Sequence, residues 1–113
     1  MLASPDDACF LLFDDEGHAM GFAEATLHPG DAEPYAHLEG WYVAPEQRRR
    51  GHGKSLVSAV EQWCLHRVIR VLTSDTTPKY PLSAAAHAHA GFRKLREMTL
   101  FVKDVGGDPS RSA

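Results

Sequence analysis

The chain has 113 residues, enough for one domain with a single hydrophobic core and too few for two. With 43% hydrophobic and 24% charged residues, the composition is typical of a soluble globular protein, and no apolar run approaches the length of a membrane span. The formal net charge of −3 argues against a nucleic-acid-binding protein. An excess of acid outside one basic loop fits a protein that holds an anionic cofactor and a cationic substrate.

The N-terminus lacks a basic segment followed by an apolar stretch, so we expect no export signal and a cytoplasmic location. Cys9 and Cys64 have no CxxC or zinc spacing, which predicts two reduced thiols and no disulfide. The histidines show no metal-ligand spacing either, so no metal site is expected. Residues 1–105 are predicted to form a single domain, followed by a flexible tail over 106–113.

The first part of the chain predicts three strands. The apolar run Cys9–Phe13, the turn Asp14–Gly17 and a second strand over His18–Leu27 together indicate a β-hairpin. A loop over His28–Tyr35, with two prolines and a glycine, separates the hairpin from the third strand. That strand, His37–Val43, is rich in aromatic and β-branched residues.

The second part predicts two helices, each followed by strand. A helix that runs to about His66 is indicated by apolar residues at helical spacing, namely Leu56, Val57, Val60, Trp63 and Cys64. Val68–Leu72 is predicted to be a fourth strand region, and Leu82–Ala90 a short helix that Gly91 stops. Phe92–Val102 is predicted to supply one or two terminal strands. The order β-β-β-α-β-α-β defines an α/β fold with a mixed sheet.

The stretch QRRRGHGKS, Gln47–Ser55, connects the third strand to the first helix. Backbone N–H groups at the start of a helix have no partner, and with the helix dipole and the arginines they suit a pyrophosphate. Gly51 and Gly53 lack a Cβ, which lets an anion approach closely; the alternative is a solvated basic turn. Neither a P-loop nor a dinucleotide fingerprint fits, because Arg48 and Leu56 stand where those motifs require glycine.

The remaining pattern, Gln/Arg-x-x-Gly-x-Gly over Arg48–Gly53, resembles the pyrophosphate loop of the GNAT N-acetyltransferases, which bind acetyl-CoA. LEGWYVAPEQRRRGHGKSLV followed by SDTTPKYPLSAAAHAHAGF is similar to the aminoglycoside 6′-N-acetyltransferases of that superfamily. The later motif residues are Ser74, Asp75, Thr76, Ser83, His87, Gly91 and Phe92. The resemblance covers roughly Glu24–Val102. A family asparagine is replaced here by Tyr80, with Pro78 and Pro81 nearby, so that loop is expected to differ.

The resemblance implies a GNAT-like fold with acetyl-CoA as co-substrate. It implies these cofactor-binding residues: Trp41, Tyr42, Val43, Arg48, Arg49, Arg50, Gly51, His52, Gly53, Lys54 and Ser55. In the family pattern the backbone of the third strand also pairs with the pantetheine arm. A complete fold of this kind begins with another strand and one or two helices, for which we expect this chain to have no room. The absent strand would expose a sheet edge, which predicts a homodimer that covers it.

Acetyl transfer to an amine requires that the amine lose a proton, that the oxyanion meet a donor and that the thiolate leave. A protonated amine is also a cation, which carboxylates hold. Glu39 is the first candidate for base and substrate ligand, the alternative being an edge-strand glutamate. Strand alternation predicts that Glu39 shares a face with Trp41 and Val43, opposite Leu38. Gly40 next to it permits a bulge.

Asp75 follows the fourth strand, where α/β folds present ligands. The resemblance implies that it is a substrate-amine ligand or base; the alternative is an Asx turn or helix N-cap. Glu24 interrupts an apolar strand face and is either a third substrate-binding carboxylate or an edge residue. His87 stands where many GNAT enzymes have a tyrosine that protonates the departing thiolate, and the aminoglycoside group has histidine there. Its alternative is a packed or surface histidine.

The leading hypothesis is an N-acetyltransferase that moves acetyl from acetyl-CoA to a primary amine by direct attack, without an acyl-enzyme. The resemblance implies the 6′-amine of an aminoglycoside as acceptor, and hence antibiotic resistance. Two alternatives stay open: another small-molecule or peptide N-acetyltransferase, and a truncated, inactive acetyl-CoA-binding or interaction module. The expected partners include a cationic amine and neither nucleic acid nor membrane.

Overall fold

The structure is a computed structural model that describes residues 5–77 and 80–106. It contains a four-stranded sheet in which spatial order equals chain order. The strands are β1 (Asp7–Phe13), β2 (Ala19–His28), β3 (Tyr35–Val43) and β4 (Leu72–Thr73). The first three strands pair antiparallel, and β4 pairs parallel to β3, so the sheet is mixed.

Two helices complete the fold. Helix α1 spans His52–His66 and helix α2 spans Pro81–His89; a 3₁₀ turn at Pro45–Gln47 precedes α1. A parallel neighbour requires a crossover between the two strands, and α1 provides it between β3 and β4. The mixed α/β fold class is therefore confirmed, as is the predicted end of the first helix at His66.

The hydrophobic core lies between α1 and one face of the sheet. The buried stripe of α1 consists of Leu56, Val57, Val60 and Cys64. It packs against small residues of β2 and β3, namely Ala23, Ala25 and Ala36, and against Leu38. Cys64 is a buried core residue, as the sequence predicts, and this burial raises the pKa of its thiol.

Strand β3 contains a bulge at Glu39. Glu24 of β2 pairs with Gly40, whereas the next residue, Ala25, pairs with Leu38. Strand β3 therefore has one extra residue opposite β2 at this point. The sequence predicts a bulge beside Gly40, and the register confirms it.

The bulge changes which side chains share a face. Leu38 is buried in the core, and Trp41 and Val43 pack against the same core, so these three side chains lie on the α1 face. Glu39 follows Leu38 directly and points to the opposite face. The prediction that Glu39 shares a face with Trp41 and Val43 is wrong, because simple alternation does not account for the extra residue.

The fourth strand is shorter and later than the predicted Val68–Leu72, because the first residues of that run end α1. Val68 has a φ of 58°, in the left-handed region, and its side chain is exposed. The Ile69 amide donates to the Cys64 carbonyl at 2.8 Å, and the Ile69 side chain enters the core. This is the hydrogen bond that closes a helix C-terminus when a left-handed residue precedes it.

Residues 93–105 form neither strand nor helix, so the predicted strands over Phe92–Val102 are wrong. Phe92 packs against the core, but the apolar side chains that follow are exposed: Leu95, Met98, Leu100, Phe101 and Val102. The apolar pattern suits a strand, yet a strand requires a partner edge, and no described segment pairs with this one. The predicted tail beyond Gly106 lies outside the described residues.

Candidate active site

The three arginines of the loop between β3 and α1 have different environments. Arg48 donates from Nε to the Val43 carbonyl at 2.8 Å, and its guanidinium lies 5.6 Å from the centroid of the Tyr42 ring. Arg50 donates to a glutamine side chain of the same loop at 3.3 Å. Arg49 is exposed and has a φ of 65°. Arg48 therefore fastens the loop to the end of β3, whereas Arg49 and Arg50 present charge to solvent.

Gly51 is the N-cap of α1, with a φ of 83° that favours glycine. A Cβ on Gly51 would meet no atom within 4 Å, so the space above it is open. As a glycine it has no side chain to cap the helix, and the amides of His52, Gly53 and Lys54 have no acceptor within the helix. This helix start therefore offers backbone donors and the positive end of the dipole to an anion.

Gly53 is required for packing against Trp41. The Trp41 indole donates from Nε1 to the Gly53 carbonyl at 3.0 Å. A Cβ on Gly53 would lie 3.2 Å from Cζ2 of the indole, which is tighter than ordinary contact. The sequence predicts that both glycines admit an anion. The geometry supports that reason for Gly51, while Gly53 gives room to the tryptophan.

His87 of α2 is held with a defined tautomer. Its Nδ1–H donates to the Ser83 carbonyl at 2.8 Å, since a carbonyl only accepts. In the neutral ring Nε2 is then the acceptor, and the Ser74 hydroxyl donates to it at 2.7 Å. The ring also makes edge contacts with Trp41 and Phe92, at centroid distances of 5.1 and 5.2 Å. His87 is thus a half-buried histidine that contacts Ser74, a residue not among the predicted site residues.

The sheet opens beside the end of β3. The pairing of β3 with β4 covers Ala36 and His37, while the pairing with β2 continues to Val43. No described strand therefore lies beside residues 39–43 on the β4 side. The Val43 carbonyl accepts from Arg48. An unpaired stretch of strand edge can hydrogen-bond to an extended ligand.

The predicted carboxylates are exposed and lie on the side of the sheet opposite α1. Glu39 Oε2 lies 3.6 Å from His28 Nε2, and Asp75 Oδ2 lies 3.6 Å from His37 Nε2. Glu24 lies opposite Gly40 on β2. His28 and His37 are not among the site residues predicted from the sequence. The register of β2 against β3, which puts His28 opposite Tyr35 and Thr26 opposite His37, is the signal that would have found them.

Within the described part of the chain, no group of three or more His, Cys, Asp or Glu side chains has the arrangement of a metal site. In the same residues, no helix combines the length and apolar character that a bilayer crossing requires.

The chain is similar in sequence to a known protein family and to individual members of it. Residues 1–92 match the model of the acetyltransferase (GNAT) family. The chain is 41% identical over 94 residues to aminoglycoside N(6′)-acetyltransferase type 1 of Klebsiella aerogenes, with 80% of this chain and 62% of that protein covered. It is 34% identical over 93 residues to the protein of the same name from Salmonella typhimurium, with 78% and 64% covered.

Among solved structures, the aminoglycoside N-acetyltransferase AAC(6′)-Iy in complex with CoA is similar, with a TM-score of 0.82 and 32% identity. The match covers 90% of this chain and 79% of that one. The chain belongs to the acetyltransferase (GNAT) family. The aligned part spans slightly less than two thirds of the length of the Klebsiella and Salmonella relatives.

The close contact between Gly53 and Trp41 predicts that a larger residue at position 53 destabilises the protein. We expect Gly53→Ala to lower the free energy of unfolding by about 1 kcal/mol, because the overpacking outweighs the better helix propensity of alanine. In a Trp41→Leu background the same substitution should be neutral or stabilising. Urea unfolding of the four proteins measures the coupling, with Ser58→Ala on the exposed side of α1 as control. Equal effects of Gly53→Ala in both backgrounds would contradict the packing explanation.

Proposed function

We propose that the chain is an acetyl-CoA-dependent N-acetyltransferase whose acceptor is a primary amine of a cationic small molecule, with the 6′-amine of an aminoglycoside as the specific acceptor. The observation that carries this proposal is the start of α1, where an open left-handed Gly51 and free helix amides lie next to two exposed arginines. The aminoglycoside acetyltransferases to which the chain is similar support the acceptor. A cytoplasmic location, where acetyl-CoA is available, is part of the proposal.

In this proposal the pyrophosphate of acetyl-CoA binds the amides of residues 52–54 and the side chains of Arg49 and Arg50. The pantetheine arm extends along the opening beside β3, where the backbone of residues 41–43 supplies donors and acceptors. Lys54 and Ser55, both exposed in the first turn of α1, line the same end. Trp41 acts by holding the helix start, since its side chain packs inward.

The acceptor amine binds the carboxylates of Glu24, Glu39 and Asp75 as an ammonium ion. Glu39 or Asp75 takes a proton from it, and the freed lone pair attacks the thioester carbonyl carbon. The resulting oxyanion accepts hydrogen bonds from backbone N–H groups in the opening of β3. When the tetrahedral intermediate collapses, the C–S bond breaks and coenzyme A leaves as a thiolate. The nitrogen loses its second proton to solvent, which leaves a neutral amide, and the protonated carboxyl returns its own proton to solvent.

His87 protonates that thiolate through Ser74. Because Nδ1–H is committed to the Ser83 carbonyl, the second proton of an imidazolium lies on Nε2, which faces the Ser74 hydroxyl at 2.7 Å. The hydroxyl then accepts from Nε2–H and donates its own proton to the sulfur. His87 is left neutral and takes a proton from solvent before the next cycle.

An assay of free thiol released from acetyl-CoA tests the activity directly. We expect kanamycin-type aminoglycosides to trigger release, and Asp75→Asn to lower kcat/KM for the acceptor by about 100-fold, the usual range for loss of a general base. Calorimetric affinity for acetyl-CoA should stay unchanged. Asp31→Asn, in an exposed loop, is the control.

Wild-type turnover by Asp75→Asn would remove Asp75 from the site. Acetyl-CoA binding without thiol release for any aminoglycoside would favour the inactive-module alternative, and release with other amines alone would favour a different acceptor.

The pyrophosphate assignment has its own test. We expect the double substitution Arg49→Ala and Arg50→Ala to raise the Kd for acetyl-CoA by about tenfold, since two charge-assisted contacts are lost. Arg70→Ala, an exposed arginine outside the loop, should leave Kd unchanged. Arg48→Ala should also lower the thermal midpoint, because Arg48 joins the loop to β3. An unchanged Kd for the double variant would count against the phosphate loop.

We also propose that the chain forms a homodimer. Strand β1 is at the edge of the described sheet, and the apolar side chains of residues 95–105 are exposed. Both features favour association that covers them. Sedimentation velocity should show a dimer at micromolar concentration that Phe101→Asp converts to monomer, while the neighbouring Lys103→Glu does not. A wild-type protein that sediments as a monomer would exclude this partner.

A further inference from the structure

The sheet face opposite α1 carries a row of four titratable side chains, Glu39, His28, His37 and Asp75, which we call the histidine–carboxylate row. Glu39 Oε2 lies 3.6 Å from His28 Nε2, and Asp75 Oδ2 lies 3.6 Å from His37 Nε2. The two imidazole rings meet edge to face, with centroids 6.4 Å apart. Two of the carboxylates proposed to bind the amine, Glu39 and Asp75, therefore each lie beside one imidazole ring.

The inner nitrogen of the His37 ring is held by a hydrogen bond to β4. The parallel register puts His37 opposite Thr73, and Nδ1 lies 2.7 Å from Thr73 Oγ1. Thr73 Oγ1 is also 3.3 Å from the Ala36 carbonyl oxygen. The His37 side chain is 23% exposed, whereas that of Asp75 is 86% exposed. The ring is thus anchored on its inner nitrogen and presents Nε2 to a carboxylate that lies in solvent.

His28 is fixed by a stacked tyrosine. Its ring lies over that of Tyr35, at a centroid distance of 5.1 Å and an interplanar angle of 18°, and the two residues pair across β2 and β3. The other groups near the row are the exposed carboxylate of Glu24, which lies opposite Gly40 on β2, Thr26, which pairs with His37 across the strands, and Asp7 of β1, which accepts from the Thr26 hydroxyl at 2.9 Å. Asp7 is thus held by a hydroxyl one strand away.

We propose that His28 and His37 are specificity-determining residues that regulate, by their own charge, how well the site binds a polycation. When both rings are neutral, Glu39 and Asp75 keep their full negative charge for the ammonium groups of the acceptor. When the rings are protonated, each imidazolium pairs with its carboxylate and repels the cation. The inference rests on the proposed function, in which Glu39 and Asp75 bind the amine together with Glu24.

The expected change in affinity for the polycation follows from how exposed the two ion pairs are. Solvent screens ion pairs whose members are as exposed as Glu39 and Asp75, so each pair contributes little and the two together change affinity by about fivefold. The site therefore favours polycations when the two rings are neutral and discriminates less when the rings carry charge.

Calorimetric binding of kanamycin at about pH 5.5 and about pH 7.5 tests the inference, because histidine charge changes between these values. We expect affinity to rise about fivefold more in the wild type than in the double variant His28→Gln and His37→Gln. Glutamine can hydrogen-bond but does not titrate. The ligand's own protonation affects both proteins equally, so the difference reports the two rings. His66→Gln, at the exposed end of α1, should follow the wild type.

A second measurement does not depend on any acceptor. The side-chain carboxyl ¹³C resonances of Glu39 and Asp75 respond to the charge of the adjacent rings as well as to changes at the carboxyl itself. We expect both resonances to move further between the two pH values in the wild type than in the double variant. Equal movement in the two proteins, or parallel kanamycin profiles, would overturn the inference, even for an active acetyltransferase. Larger movement in the wild type with no aminoglycoside bound at either pH would support the coupling of the rings to the carboxylates and reject the proposed acceptor.

Discussion

The packing of Trp41 against the start of α1 is the interaction on which the candidate site depends. One indole ring donates to the Gly53 carbonyl, occupies the space where a Gly53 side chain would lie, and meets the edge of His87. The helix start and α2 therefore hold their positions relative to β3 through the same side chain. Without that ring, the amides proposed to bind pyrophosphate and the histidine proposed to act as acid would lose their common support.

Because of the bulge at Glu39, the candidate functional side chains of β3 lie on both faces of the sheet. His37 and the bulged Glu39 point to the face opposite α1, and beyond the bulge Trp41 and Val43 point to the α1 face. The start of α1, proposed to bind the cofactor, and His87, proposed as the acid, thus lie on one side of the sheet. The row of carboxylates and imidazoles lies on the other. The two sides meet after β4, where Ser74 and Asp75 are consecutive residues.

Local patterns in the sequence predict the hairpin, the helix that ends at His66 and the glycine loop before it, because each depends on periodicity or turn chemistry within a few residues. Strand pairing is less predictable: Gly40 indicates the bulge in β3 but not which face the side chains beside it take. The face of Glu39 depends on an extra residue that is visible only in the register against β2, and the run after Phe92 has strand-like composition but no partner edge. The neighbours of His28 and His37 likewise come from different strands, so spacing along the chain does not reveal them.

Strand β4 is two residues long, so the two faces of the sheet come together within a short piece of backbone. Just past the strand, the Ser74 hydroxyl contacts His87 Nε2, and the next residue, Asp75, lies 3.6 Å from His37 Nε2. One peptide unit therefore sets the positions of both side chains. A substitution that strains this unit is felt on both faces of the sheet, even though His37 and His87 belong to separate elements.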